Sequence, residues 1–362
     1  MNQDSAFMSQ ALRLAHNALA ISPPNPAVGC VIAKDGHAIG QGWTQPPGGN
    51  HAEIEALNDA RTKSRDVRGA TVYVTLEPCS HFGRTPPCCD ALIAAGVARV
   101  VVAVQDPNPL VAGQGLARLR AAGIEVTGDV LAEQAREVNI GFFSRMQRGK
   151  PWVRMKVAAS LDGRTALVNG QSQWITSEAA RADGHRWRAR ACAILSGIGT
   201  VRQDDPQLTV RAVETVRQPR RIILDSKLSI EAHARVLAGG GTWVVTARRD
   251  AEQEAMLREA GAEVMFLPNS KGKVDLPGLM QELGRREINE LHVEAGAKLN
   301  GSLIREGCVD ELLLYVAPQL LGPGFDMFEL PALERLADRI ALKFHEVQQI
   351  GDDLRILARI SA

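Results

Sequence analysis

His51-Ala52-Glu53, Pro78-Cys79 and Cys88 bring together an imidazole, a carboxylate and two thiols within 38 residues of chain. A catalytic zinc ion takes three protein ligands from His nitrogen and Cys thiolate and leaves a fourth position open for water. His51, Cys79 and Cys88 supply that set, and zinc lowers the pKa of a bound water toward ~7. Glu53 then has the chemistry of a proton shuttle between that water and a departing group. A plainer reading stands beside it. Asn50-x-x-Glu53 also fits a capping box, in which Glu53 serves only a backbone N–H. Cys89 is an alternative ligand to Cys88, although adjacent helical residues point about 100° apart, so only one can serve. His81 is either a further ligand, a pocket residue or solvated, and Cys30 reads as a small buried hydrophobe.

The second half carries fainter signals. Leu291–Glu294 reads as a strand, followed by the glycine-bearing turn Ala295-Gly296-Ala297-Lys298-Leu299-Asn300-Gly301 and a helix from about Ser302. Such a turn exposes N–H groups suited to phosphate, yet it lacks G-x-G-x-x-G and is equally an ordinary βα turn. Ser196-Gly-Ile-Gly-Thr200 follows an apolar run, and its glycines permit close backbone approach to a ligand. Asp204 is a candidate catalytic acid or part of a turn-forming Asp-Asp-Pro. Arg186, Arg188 and Arg190 form a solvated helical face or supply a phosphate clamp.

These residues need elements to hold them. Residues 5–20 have helical periodicity, Val28–Ala33 and His37–Trp43 read as a hairpin about Lys34-Asp35-Gly36, and a helix runs from about His51 to Arg61 with Asn50 as its cap. Thr71–Leu76 and Arg99–Val104 are strands; Thr85-Pro86-Pro87 opens a helix that Gly96 stops. Arg148-Gly149-Lys150-Pro151 marks a boundary between domains 1–147 and 148–362. Beyond it, strands are expected at Trp152–Ala158, Ala193–Ser196, Arg221–Leu224, Trp243–Thr246, Glu263–Leu267, Leu291–Glu294 and Glu311–Ala317. Alternating strands and helices predict an α/β fold in both halves.

Zinc deaminases are known by H-x-E…P-C-x-x-C, and this chain matches it except for a longer cysteine spacing. The segment from Thr75 to Cys88, with Asn25-Pro-Ala-Val-Gly29 upstream, resembles the deaminase half of the bifunctional riboflavin-biosynthesis deaminase–reductases. Lys156–Arg164, Gln171–Thr176, Asp204–Arg211 and Val293–Gly296 resemble the reductase half of that family. The resemblance implies a cytidine-deaminase-like three-layer α/β/α domain followed by a dihydrofolate-reductase-like α/β domain. It implies one zinc on His51, Cys79 and Cys88, Glu53 as catalytic acid/base, and Asn25 in the pyrimidine pocket. It implies NADPH held by Ala158, Trp174, Thr200, Asp204, Ser226 and the turn Gly296 to Ser302. A ribose-phosphate substrate would be held by Ser172, Arg188, Leu208, Arg211 and Glu294, with Asp204 or Lys156 assisting proton transfer. Arg248 and Arg249 follow a strand and could meet a 2′-phosphate.

Composition narrows the partners. Of 362 residues, 42 are Lys or Arg and 41 are Asp or Glu, so the overall field is weak and a nucleic-acid partner is not expected. No stretch has the form of a signal peptide or membrane span. Six cysteines in this length suggest free or metal-bound thiols and a reducing cytoplasm. The apolar stretch 310–321 suits an intersubunit strand or a buried internal one. A homo-oligomer, dimer or tetramer, acting on a small pyrimidine is the expected assembly.

Overall fold

The computed structural model describes residues 2–80, 86–109 and 111–361. They form two compact units, Met1–Gly149 and Lys150–Ala362. The first contains α1 (Gln3–Ala18), β1 (Gly29–Lys34), β2 (His37–Trp43), α2 (Ala52–Thr62), β3 (Thr71–Val74), α3 (Cys88–Ala95), β4 (Arg99–Val102), α4 (Gln114–Ala121), β5 (Glu125–Thr127), α5 (Ala132–Val138) and α6 (Ile140–Arg148). The sheet order is β2-β1-β3-β4-β5. The β1 strand is antiparallel to both neighbours, and β3, β4 and β5 run parallel. Asp35 (φ 52°) and Gly36 (φ 77°) make the expected hairpin turn, whose positive φ values match the twist of the strands. Helices lie against both faces of this sheet, and two glycines show how closely. A Cβ on Gly29 would strike the backbone of α1, and one on Gly42 the backbone of α2. Val31, Ile32, Val72, Val74, Val100 and Val101 are buried between these layers.

The second unit contains β6 (Trp152–Ser160), β7 (Arg164–Leu167), α7 (Glu178–Arg190), β8 (Ala193–Gly197), α8 (Ile198–Asp204), β9 (Arg220–Leu224), β10 (Thr242–Thr246), α9 (Ala251–Glu259), β11 (Ala262–Phe266), α10 (Leu276–Arg285), β12 (Glu290–Val293), α11 (Ala297–Arg305), β13 (Glu311–Ala317), β14 (Gly324–Asp326), β15 (Leu342–Ile350) and β16 (Asp353–Ile360). Nine strands form one sheet in the order β11-β10-β9-β8-β12-β6-β13-β16-β15. The seven from β11 to β13 are parallel, and β16 and β15 close the edge antiparallel. Ser177, Asp250 and Asp275 cap α7, α9 and α10 through their side chains, satisfying N–H groups that a helix start leaves open.

Each strand expected in the second half is present, but β7, β14, β15 and β16 were not anticipated. In β15 the alternation is interrupted by a bulge at His345, between Phe344 and Glu346. An extra residue moves later side chains to the opposite parity, so Phe344 and Val347 share a face that a strict period of two would separate. The stretch 310–321 supplies β13, an internal strand between β6 and β16.

Candidate active sites

His51 stands at the N-cap of α2, Glu53 in its first turn, Cys79 five residues beyond β3, and Cys88 at the first position of α3. His51 Nδ1 lies 3.5 Å from Cys79 Sγ and 3.3 Å from Cys88 Sγ. Among the described residues these three form a group whose donor atoms all fall within 4.8 Å of one another. Zinc bonds of about 2.0–2.1 Å to nitrogen and 2.3 Å to sulfur, set tetrahedrally, require N–S edges of about 3.6 Å. The donor set therefore fits a zinc ion in both chemistry and spacing. The thiols are already arranged as a pair: the Cys88 N–H donates to Cys79 Sγ at 3.2 Å. Contact with Cys88 holds Cys79 down at about 4 against its burial, with His51 adding to the effect. The same contact, then burial and the Glu53 charge, push Cys88 far up. A thiolate is the form in which cysteine binds a metal, and the shift at Cys79 favours it. Burial, followed by the negative Cys79, raises Glu53 to about 7, with His51 opposing.

Asn50 is not the helix cap. His51 takes that place without a side-chain bond, and the Asn50 amide donates to Glu55 Oε1 at 2.7 Å. The capping-box alternative for Glu53 therefore falls, because Asn50 lies one residue too early. Cys89 Sγ instead faces the carbonyls of Pro78 and Gly115 at 3.3 and 3.6 Å, either of which its thiol can donate to, a buried tie between the Pro78 loop and α4. Cys30 is wholly buried in β1. His81 and Thr85 lie outside the described residues. Asn25 is half-buried in the loop before β1, and Ala27 beside it is gripped at both N–H and C=O by the Asn139 amide.

Glu77 is a residue that sequence reasoning missed. Its buried carboxylate accepts N–H bonds from Asp106, Gly113, Gly115 and Leu116 at 2.9–3.3 Å. A Cβ on Gly115 would collide with the Pro78 carbonyl. The loop before α4 is thereby locked against Pro78-Cys79. Nothing local announces this, because the partners lie 29 to 39 residues further along.

In the second unit, Ala158, Thr200, Ser226 and Gly296 lie in or just beyond the carboxyl ends of β6, β8, β9 and β12. These are four neighbouring parallel strands, in the order β9-β8-β12-β6. Open α/β sheets bind ligands in the crevice at such ends. Gly296 caps α11 with open space beside its Cα. Asn300 and Gly301 point inward: Asn300 donates to the carbonyls of Ala295 and Met327, and Gly301 backs onto Glu329. They shape the turn, while Gly296 and Lys298 are exposed. Arg188 grips Glu294 with two bonds of 2.5 and 2.8 Å. Burial alone would raise Glu294, but the Arg188 charge and hydrogen bonds, with His292 and Lys156, hold it well below the usual range. Burial lowers Lys156 despite Glu294, and desolvation raises Asp204 at the end of α8.

Other expected residues are more scattered. Leu208 is buried at φ 50° and Arg211 exposed three residues later. Trp174 is 68% exposed and lies 4.4 Å beneath the Arg181 guanidinium, with Ser172 half-buried in the same loop. Ser226 Oγ accepts the Val274 N–H at 3.2 Å. Arg248 pairs with Asp250, and Arg249 stacks on Phe266 and reaches Glu254.

Known proteins share both halves of this architecture. Residues 1–104 match the cytidine and deoxycytidylate deaminase zinc-binding region, and residues 151–356 match the RibD C-terminal domain. The riboflavin biosynthesis protein RibD of Escherichia coli is 47% identical over 97% of this chain and 98% of that one. That of Aquifex aeolicus is 41% identical over 98% and 97%. The chain belongs to the RibD family. As a RibD protein it is a riboflavin-biosynthesis enzyme with a deaminase and a reductase half. The RibD structure from Acinetobacter baumannii superposes with a TM-score of 0.90 at 41% identity, covering 99% of both chains. A Thermotoga maritima deaminase/reductase gives 0.89 at 34%, again over 99% of both. The two-part α/β architecture, deaminase-like then RibD_C, is that of this family. No helix among the described residues is long and apolar enough to cross a membrane.

Proposed function

We propose that the first unit hydrolyses the amino group of 2,5-diamino-6-ribosylamino-4(3H)-pyrimidinone 5′-phosphate. The second unit then reduces the ribosyl group of the product to ribityl, giving 5-amino-6-ribitylamino-uracil 5′-phosphate. The observation that carries this reading is the His51–Cys79–Cys88 triangle with buried Glu53 two residues away. The Thermotoga maritima relative is a diaminohydroxyphosphoribosylaminopyrimidine deaminase/5-amino-6-(5-phosphoribosylamino)uracil reductase.

One zinc ion, when bound by His51, Cys79 and Cys88, supplies Lewis-acid activation of water. Glu53 moves two protons in turn: its carboxylate takes one from the attacking water and gives it to the ring nitrogen, then takes the second from the hydroxyl so formed and gives it to the leaving amine, which departs as ammonia. Asn25 reads an edge of the pyrimidine. In the second unit NADPH, when bound, supplies the hydride. Ala158, Trp174, Thr200, Asp204, Ser226 and the turn of Gly296, Ala297, Lys298, Leu299, Asn300, Gly301 and Ser302 cradle it. Arg188, Arg211, Ser172, Leu208 and Glu294 hold the ribose-phosphate, and Asp204 or Lys156 gives the proton that completes reduction. Arg188 cannot be exchanged for Lys at no cost, because a planar fork makes both bonds to Glu294.

The test uses chelation. Removal of zinc should abolish deamination while NADPH-dependent reduction of the deaminated compound continues. Deamination that persists in metal-free protein would refute the zinc assignment.

The same reading places two or more copies together. Across the bulge, Leu342, Phe344 and Val347 of β15 share a sheet face with Leu354 and Ile356 of β16. Phe344 is 68% exposed and Val347 55%, and an apolar sheet face of this kind is ordinarily covered. A second copy is the proposed cover. All six cysteines are free, which suits a reducing cytoplasm.

A further inference from the structure

We propose that His185 is a positioning residue for the phosphate-bearing end of the reductase substrate, acting through the backbone of Arg211. This rests on the reductase reading above and adds to it a residue that touches neither chemistry nor cofactor.

The segment Leu208–Arg211 belongs to no helix or strand, so no ladder of backbone bonds fixes it. Side chains do so instead, at three successive residues. Arg188 Nη1 donates to the Thr209 carbonyl at 3.0 Å. The Gln218 amide brackets Val210, accepting its N–H at 2.7 Å and donating to its C=O at 2.9 Å. The Arg211 N–H donates to His185 Nδ1 at 3.3 Å. His185 and Arg188 are three residues apart on α7 and therefore share a face. Through the other edge of Arg188 the segment is tied to Glu294, just past β12. The result is a strap whose direction, and so the reach of Arg211, depends on α7.

The ring must be neutral to accept this bond, because a protonated imidazole has no acceptor. Its surroundings keep it so. Burial, followed by the charges of Arg188 and Arg211, with Lys156 adding and Glu294 opposing, lowers His185 to about 4. The accepted bond at Nδ1 assigns the ring proton to Nε2. Three cations, Arg188, Arg211 and Lys156, against one carboxylate, Glu294, make a surplus of positive charge that suits a phosphomonoester dianion. An uncharged acceptor at 185 holds the strap without adding a fourth cation.

The experiment measures KM and kcat of the full chain at saturating NADPH on the deaminated ribosylaminopyrimidine, with and without its 5′-phosphate. His185→Ala should raise KM for the phosphorylated compound roughly tenfold, about the worth of one hydrogen bond, with kcat within about twofold. KM for the dephosphorylated compound should stay unchanged. His185→Asn, whose Oδ1 replaces the lost acceptor, should restore the wild-type value, and Gln218→Ala should repeat the alanine phenotype. NADPH binding and the thermal midpoint should match wild type, showing that the fold persists. An unchanged KM in His185→Ala, or an equal rise for both compounds, overturns the proposal while the reductase reading stands. Failure of wild-type protein to reduce either compound overturns the reductase reading and the proposal together.

Discussion

His51 at the N-cap of α2 and Glu53 in its first turn are two residues apart, yet only His51 belongs to the donor triangle. Replacing Glu53 therefore separates holding a metal from moving a proton. Glu53→Gln should keep one zinc per chain and lose ~10²–10⁴-fold in deamination rate, with NADPH-dependent reduction unaltered. Metal analysis and the two assays on one preparation check this, and a rate loss under tenfold would remove Glu53 from the chemistry. The triangle was legible in the sequence because each of its donors sits in a short pattern: His-x-Glu at a helix start, Pro-Cys after a strand, Cys at the next helix start. Asn50 was misplaced by one residue, since the sequence does not show that His51 itself takes the cap. Glu77 and His185 were illegible because each acts on a backbone segment at least 26 residues away.

At the scale of elements, one carboxylate and one charged layer govern how well the sites are held. Glu77→Gln supplies a single acceptor oxygen where four N–H groups now converge, so part of the loop before α4 loses its partner. Zinc affinity should fall about 10–100-fold, as when groups that orient metal ligands are removed. Reductase turnover in the second unit should remain. Competition titration against a chromophoric chelator measures this, and unchanged affinity would show that the clasp does not position Cys79. In the second unit Arg154 is buried between Glu290 at 2.7 Å and Glu311 at 2.6 Å, and Arg190 also pairs with Glu290. Burial alone would raise Glu290, but Arg190 and Arg154 bring it down to about 2, from ~4.3 in an unfolded chain. A depressed carboxylate stabilises fully above its unfolded value and loses that contribution as pH falls toward the folded one. Urea unfolding should thus show stability falling by up to about 3 kcal/mol between pH 5 and pH 2 from this group. Glu290→Gln should flatten that acid limb, and an unaltered slope would contradict the assignment. The parallel strands from β11 to β13 were readable as short apolar-rich segments alternating with helices. The antiparallel edge was not, because the bulge at His345 breaks the alternation on which such a reading depends.

At the scale of the whole molecule, near-balanced charge argued against a nucleic-acid partner and the Arg148–Pro151 segment marked a boundary between two domains, close to the division after Gly149. The order of strands in each sheet was beyond the sequence, because pairing depends on contacts between distant segments. The exposed face of β15 belongs to this scale too. Phe344→Asp should lower the oligomeric state seen by sedimentation while both thermal transitions stay near their wild-type midpoints. An unchanged sedimentation coefficient would remove that face as the contact. The central claim, that one chain deaminates and then reduces the same pyrimidine, is tested most directly by a two-stage assay. Zinc-loaded protein is given the diamino-ribosylamino-pyrimidinone phosphate, and NADPH is added once the pyrimidine absorbance has settled. The account predicts release of one ammonia per substrate before NADPH is present, then oxidation of one NADPH per deaminated product. NADPH oxidised without prior ammonia release, or ammonia released with no later oxidation, would contradict it.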